Sequence, residues 1–157
     1  MSLKNDIDFK KELAVIFFVF LATIIFSLVD FSFANIKPNI FIVAPLVVSF
    51  LIDSWEIFLF FLIAEEFWLK FTPFLIWEYV ILFILGIISF VIAKFFIFKK
   101  ILAVRIAMIF LIQSVFWLAF DSLARINYLV FFMEFIYNII VEELLFAFGL
   151  WIKKRYF

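Results

Sequence analysis

The carboxylates inside long apolar segments are the residues of this sequence most able to take part in chemistry. Glu134, Asn138 and Glu142 follow one another at intervals of four residues, so an α-helix places them within an arc of about 80° on one face. Glu143 points away from that face. An ionised carboxylate in hydrocarbon is strongly disfavoured unless it is paired, protonated or hydrated. The pattern therefore predicts a functional site, either a relay for protons or cations or a pocket for a polar solute.

A second apolar segment carries the adjacent residues Glu65 and Glu66, of which Glu66 can pair with Lys70 four residues later. Measured along ideal helices, these two carboxylates, Glu142, Glu143 and Gln113 lie roughly 12 to 18 Å from one membrane surface. This predicts one polar layer near the middle of the bilayer. The alternative is that the same groups form hydrogen bonds between helices that hold the bundle together. In that case the carboxyls are protonated and Arg105 reaches the inner surface.

The sequence lacks the side chains on which most catalysis depends. It contains no histidine and no cysteine, which excludes thiol nucleophiles, disulfides and histidine zinc sites and removes the commonest general base. The segment from Glu142 to Phe146 begins like the Glu-Glu-x-x-x-Arg signature of CAAX-type intramembrane proteases, but Ala147 occupies the arginine position. We therefore expect a protein that is not an enzyme, without catalytic, cofactor-binding or metal-binding residues.

Composition predicts a membrane protein. Of the 157 residues, 70% are hydrophobic and 24% aromatic, and the mean hydropathy is +1.32, whereas an ordinary soluble domain is nearer half apolar. A soluble domain of this size cannot bury so much apolar surface, so lipid must cover the excess. Lys and Arg together number 13 and balance 13 Asp and Glu residues, and we expect no basic surface for nucleic acid.

Six apolar segments predict an all-α, polytopic integral membrane protein with six transmembrane helices. After a polar segment, residues 1–12, the predicted spans cover about residues 13–34, 38–52, 57–69, 76–98, 101–120 and 128–152. The second and third spans are short, so each is either a tilted span or a shallower half-helix. A cleaved secretory signal is the alternative for the first, because lysines precede it and Ser32-Phe33-Ala34 imitates a cleavage site.

The distribution of basic residues sets the expected orientation. With the N-terminus in the cytoplasm, most basic residues fall at or near the inner surface. The inner set is Lys4, Lys10, Lys11, Lys94, Lys99, Lys100, Arg105, Lys153, Lys154 and Arg155, and the outer set is Lys37, Lys70 and Arg125. This bias requires an even number of spans. Six spans put both termini in the cytoplasm, with the chain in the inner (cytoplasmic) membrane.

Several local features, each weak alone, combine into a layout that covers nearly the whole chain. They are Pro38-Asn39 at the start of the second span, a tight hairpin at 53–56, the turn Phe71-Thr72-Pro73-Phe74, the dibasic break Lys99-Lys100, Asn138 in the last span and a short basic tail. This layout resembles the MreD family, the small membrane subunit of the bacterial rod-shape machinery, or elongasome.

The resemblance implies a non-enzymatic scaffold that supports lateral cell-wall synthesis. It implies binding to an MreC-like protein and, through the complex, to MreB filaments, RodA and a penicillin-binding transpeptidase. It also implies a six-helix fold like that of the substrate-binding S components of energy-coupling-factor transporters, which supplies the alternative function, binding of a small solute. An S component docks its partner through small residues on helix 1, and here that helix offers only Ala14 and Ala22 with Phe18 between them.

Overall fold

The computed structural model describes residues 3–28, 39–69, 76–95, 101–120 and 127–155, and these ranges are helical apart from short connections. The six helices are α1 (Leu3–Leu28), α2 (Ile40–Leu51), α3 (Trp55–Leu69), α4 (Ile76–Phe95), α5 (Leu102–Phe120) and α6 (Tyr128–Arg155). No strand occurs in these ranges. The prediction of an all-α fold with six helices is confirmed for this part of the chain.

Three of the helices extend beyond the predicted spans. α1 begins at Leu3 rather than at residue 13, because no proline or glycine interrupts the polar start. α3 begins at Trp55, where Ser54 Oγ accepts a hydrogen bond from the Ile57 N–H at 3.4 Å as an N-cap. α6 continues to Arg155, since its three terminal basic residues interact favourably with the helix dipole. The predicted portions 29–34, 38 and 96–98 lie outside the described residues.

α2 occupies the centre of the bundle. All 12 of its residues are buried, and it packs against each of the other five helices. Its sequence carries no charged side chain, and a helix that is apolar on every face is stable only where every face is covered. Pro45 lies inside it and leaves one turn of the helix without its usual backbone hydrogen bond. The other five helices therefore form a sheath around α2.

Contacts between side chains fix the directions of the helices. α1 and α3 run in parallel, since contacting residues keep one constant separation of 41 along the chain. The pairs are Glu12 with Asp53, Phe20 with Phe61 and Ser27 with Trp68. α4 runs antiparallel to α3, with Phe58 stacked on Phe90 at 4.4 Å between ring centroids. α2 and α6 are parallel, because Asn39 contacts Asn138 at one end and Leu51 contacts Gly149 at the other.

The turn between α2 and α3, residues 51–54, is anchored by a carboxylate of α1. Glu12 accepts hydrogen bonds from the Asp53 N–H at 2.9 Å and from the Ser54 N–H at 3.0 Å. These backbone donors precede the first turn of α3 and have no partner within that helix. The carboxylate also lies at the positive end of the α3 dipole, where negative charge is favoured.

Two lysines from other helices bind the carbonyls of the same turn. Lys153 of α6 donates to the Leu51 carbonyl at 3.0 Å. Lys94 of α4 donates to the carbonyls of Ile52 and Asp53, at 3.2 and 3.0 Å, and forms an ion pair of 2.9 Å with the Asp53 carboxylate. The last carbonyls of a helix carry partial negative charge. Three helices thus converge on one end of the bundle, which we call the turn end.

Much of the bundle surface is apolar. Two helical segments, Phe9–Leu28 and Leu102–Ala119, are long and apolar enough to cross a membrane by length and composition, and only 22% and 28% of their residues are buried. The core helix of a soluble protein would instead be mostly buried. Ile40–Leu51 and Tyr79–Phe95 are apolar but shorter. Length and apolarity therefore identify two of the six described helices as candidates for membrane spans.

We expect Gly149→Ala to destabilise the bundle, because a Cβ atom at this position would lie 2.3 Å from Leu51 Cδ1. Overpacking of this kind typically costs about 1–3 kcal/mol, which exceeds the gain of about 1 kcal/mol that alanine brings over glycine within a helix. In a Leu51→Ala background the same substitution should stabilise. The free energy of unfolding, measured by SDS titration in mild detergent, checks both results. Equal effects in the two backgrounds would contradict the contact.

Candidate functional site

Asn138 lies at the centre of a buried hydrogen-bond network that joins α5, α6 and the start of α2. Its Oδ1 accepts from the Asn39 backbone N–H at 2.8 Å, and its Nδ2 donates to Gln113 Oε1 at 3.1 Å. Gln113 Nε2 in turn donates to the Phe131 carbonyl at 3.0 Å. Both amide side chains are fully buried. We call these residues the amide network, and its main effect is to satisfy the N-terminal end of α2.

Glu134 extends the amide network by one turn of α6. Its carboxylate accepts a hydrogen bond from Trp117 Nε1 at 2.8 Å, and the residue is buried. Gln113 and Trp117 on α5 repeat the four-residue spacing of Glu134 and Asn138 on α6. In an antiparallel pair of helices, matched spacings of this kind bring both pairs into contact at once. This part of α5 and α6 is therefore joined by two successive polar contacts.

Arg105 in the first turn of α5 binds two consecutive carboxylates of α6. Its Nε lies 2.9 Å from Glu142 Oε1, an ion-pair distance without hydrogen-bond alignment. Its Nη2 forms an ion pair with Glu143 Oε1, and its guanidinium lies 3.9 Å from the centroid of the Phe146 ring. The side chains of Arg105 and Glu142 are buried, whereas that of Glu143 is 40% exposed. We call these three charged residues the arginine cluster.

Glu65 lies apart from both groups. It shares one face of α3 with Phe61 and Trp68, which contact α1, so its side chain faces the same neighbour. It is buried, and its Oε1 has no hydrogen-bond partner among the described residues. α3 contacts α1, α2 and α4 but, within the described ranges, neither α5 nor α6. The central helix α2 therefore separates Glu65 from the carboxylates of α6.

The predicted polar residues fall into separate groupings in the bundle. The structure places Gln113, Glu134 and Asn138 in the amide network, and Glu142 and Glu143 in the arginine cluster. Glu65 and Glu66 remain on the far side of α2. The suggested pairing of Glu66 with Lys70 lies outside the described residues. The prediction that these residues share one depth stays a prediction, because depth along single helices does not determine which helices are neighbours.

Several residues of these contacts were not predicted from the sequence. Arg105 was expected to reach the inner surface but is buried between helices, and Glu143 was expected to point away from Glu142 but shares its partner. The anchoring role of Glu12 was missed as well. The matched spacing on α5 and α6 was the available signal for Trp117, and it becomes useful only once these two helices are known to be antiparallel neighbours.

The arrangement is suited to joining helices. Interhelical hydrogen bonds and ion pairs satisfy buried polar groups that would otherwise destabilise the interior. Within the described part of the chain, no three acidic side chains lie close enough to hold a metal ion. The arginine cluster differs from the amide network in one respect: one guanidinium serves two carboxylates, and Glu142 Oε2 has no hydrogen-bond partner among the described residues.

We expect Asn138→Leu to lower the free energy of unfolding by about 1–3 kcal/mol, because it leaves the buried Asn39 N–H and the Gln113 amide without their partners. SDS titration in mild detergent measures the change. Ser114→Ala is the matched control, since the Ser114 hydroxyl donates to the Phe110 carbonyl of its own helix and has no other partner among the described residues. A loss in the control as large as that in Asn138→Leu would contradict the role of the network.

Comparison of the chain with protein-family models, with curated proteins and with solved structures finds no match. The resemblance to the MreD family accordingly stays a prediction from the sequence. The functional interpretation depends on the helix surfaces and on the two polar groupings described above.

Proposed function

We propose that this chain is an integral membrane protein whose six helices all lie in the bilayer, and that it is a scaffold subunit of the bacterial cell-shape machinery. In this role it has no catalytic activity and supports lateral cell-wall synthesis through contacts with other membrane proteins. The observation that carries the proposal is the apolar surface of the bundle. Thirty large hydrophobic side chains among the described residues are exposed, far more than a soluble monomer of this size tolerates.

The short central helices are compatible with a bilayer setting. α2 has 12 residues and α3 has 15, so they measure about 18 and 22 Å, less than the hydrocarbon thickness of about 30 Å. No water is available inside a bilayer, and backbone groups there must be satisfied by protein. The N-terminal end of α2 is bound by Asn138, and its C-terminal end by Lys94 and Lys153. Both ends can therefore lie below the membrane surface.

Charge supports an orientation with the turn end in the cytoplasm. Lys94, Lys153, Lys154 and Arg155 all belong to helix ends that meet there, and Arg105 lies in the first turn of α5 on the same side. Cytoplasmic loops of membrane proteins carry an excess of lysine and arginine. In the proposed orientation, both chain ends lie on the cytoplasmic side and the connections after α1, α3 and α5 lie outside.

The topology predicts opposite accessibility for the turn and for the connection between α3 and α4. Because the chain contains no cysteine, maleimide labelling of a single-cysteine variant reports the accessibility of that one position. We expect Thr72→Cys to react with a membrane-impermeant maleimide in intact cells and Ser54→Cys to react only after permeabilisation. The parent chain, which should remain unlabelled, is the control. Labelling of both variants from the same side would refute the six-span arrangement.

The surface and interior both favour contacts with proteins. Apolar clefts lie between neighbouring helices. One of about 330 Å³ lies between Ile92 of α4 and Ala103 of α5. Another of about 290 Å³ lies between Phe110 of α5 and Phe132 of α6. Clefts of this kind accept side chains of another helix. The interior amides bond to one another instead of presenting free donors. The proposed partners are an MreC-like protein and, through it, MreB, RodA and a penicillin-binding transpeptidase.

Depletion of the chain from its own rod-shaped host should round the cells within a few generations, because lateral wall synthesis would lose its membrane scaffold. Microscopy measures cell width and length, and re-expression of the parent chain is the control. Purification in mild detergent should also retain a partner with one span and a coiled coil. Cells that stay rod-shaped after verified depletion would contradict the proposed role.

A solute-binding protein similar to an S component is the second candidate. The observation that favours it is that Glu65 and Glu142 are buried with carboxylate oxygens that have no hydrogen-bond partner among the described residues. Such groups elsewhere in membrane proteins contact ions or substrates. Retention of a small molecule after purification of the parent chain, with loss in Glu65→Gln or Glu142→Gln, would support this function in place of the scaffold.

A further inference from the structure

We propose that the arginine cluster and the adjoining face of α6 form a docking site for a partner's transmembrane helix that carries a lysine or arginine inside the bilayer. The inference rests on the proposed scaffold function, and it names the surface used and the kind of partner that fits. It is carried by a charge imbalance at a half-buried carboxylate, together with the side chains that surround it.

The cluster holds one positive and two negative groups. Arg105 binds both Glu142 and Glu143. The other described lysines at this end of the bundle whose contacts are known, Lys94 and Lys153, are held by the turn at 51–54. Glu142 is fully buried, and neither of its oxygens has an aligned hydrogen-bond donor among the described residues. Among the described residues, one guanidinium therefore faces two carboxylates, and one carboxylate charge has no cation of its own there.

The uncompensated charge can be reached from the lipid side. The Glu143 side chain is 40% exposed. It precedes Lys153 by ten residues of α6, which corresponds to a depth of about 15 Å below the basic end of that helix. A carboxylate facing hydrocarbon at this depth is strongly disfavoured unless a cation or a proton neutralises it. A cation from a partner would relieve this directly.

The surface around Glu143 suits a helix. Ile136, Ile140, Glu143 and Ala147 follow one another at intervals of four, three and four residues, which places them on one stripe of α6. The two isoleucines are half exposed and Ala147 is exposed. Small residues allow helix backbones to approach closely in membranes. The stripe thus combines an apolar surface, a point of close approach and a negative charge.

The depth of the Glu143 carboxylate distinguishes a partner helix from a lipid headgroup as the group that binds there. The positive groups of lipid headgroups lie at the membrane surface, about 15 Å from this position. A basic side chain on a transmembrane helix can be held at that depth if an acidic partner faces it. The geometry therefore favours a partner helix over a lipid headgroup.

Synthetic transmembrane peptides test the proposal without an identified partner. The full-length chain is reconstituted in phosphatidylcholine vesicles, and its association with a Leu/Ala helix carrying one lysine about 15 Å from its cytoplasmic end is measured by energy transfer. Matched peptides carry leucine or glutamate at that position. We expect the lysine peptide to bind at least about threefold more tightly than the leucine peptide, the factor typical of an interhelical polar contact. The glutamate peptide should bind least.

Two variants separate docking from damage to the fold. Glu143→Gln should abolish the preference for the lysine peptide. Ala147→Trp should weaken binding of that peptide while the charges stay intact, because the exposed side chain blocks close approach without entering the interior. Glu134→Gln is the control, since it neutralises a carboxylate of the same helix that faces Trp117, and it should leave the preference unchanged.

The proposal is overturned if the parent chain binds the lysine and leucine peptides equally, or if the preference survives in Glu143→Gln. In the first case a proton or another cation of the chain neutralises Glu143. Cell shape is scored separately. If Glu143→Gln restores rod shape to depleted cells and the parent chain binds the lysine and leucine peptides equally, the docking site is refuted and the scaffold function stands. If peptide binding depends on Glu143 but depletion of the chain leaves cells rod-shaped, the scaffold function is refuted and the docking site stands.

Discussion

The structure depends on one constraint: a helix buried on every face must have both of its ends satisfied by other helices. At the start of α2, Asn138 accepts a hydrogen bond from the Asn39 N–H, and at its other end Lys94 and Lys153 bind carbonyls. These contacts also fix how α4 and α6 lie along α2. Since unpaired backbone groups in an apolar interior are strongly unfavourable, the positions of the longer helices follow from the requirements of the shortest one.

The same constraint sorts the polar residues into those that hold the fold and those that remain available. Gln113 and Asn138 use their amide groups on one another and on backbone. Glu12 is likewise engaged, because it binds the N–H groups of Asp53 and Ser54, which directly precede α3. Glu143 is different, since it shares Arg105 with Glu142 and lies partly at the surface. With these amides engaged inside the bundle, its apolar surface and the Glu143 carboxylate are what it offers to other molecules.

Glycine is rare in this chain, which limits how partners can bind. The sequence contains 2 glycines and 29 phenylalanines. Both glycines are used inside the bundle, where Gly86 contacts Leu62 and Gly149 contacts Leu51. The outer surface therefore offers few of the small-residue seams through which membrane helices usually associate. Apolar clefts and the charge at Glu143 are the alternative means of recognition, and both suit a scaffold that collects several membrane proteins.

The sequence by itself determined six apolar helices and the inward face of α6, because periodicity and apolar length are local properties. Glu134, Asn138 and Glu142 share that face and are all buried. Only the tertiary structure decided which helices are neighbours. It put α2 at the centre, separated Glu65 from the carboxylates of α6, and brought Arg105 to Glu142 and Glu143. Contacts between helices depend on packing order and register, and neither is encoded in the hydrophobic pattern of a single segment.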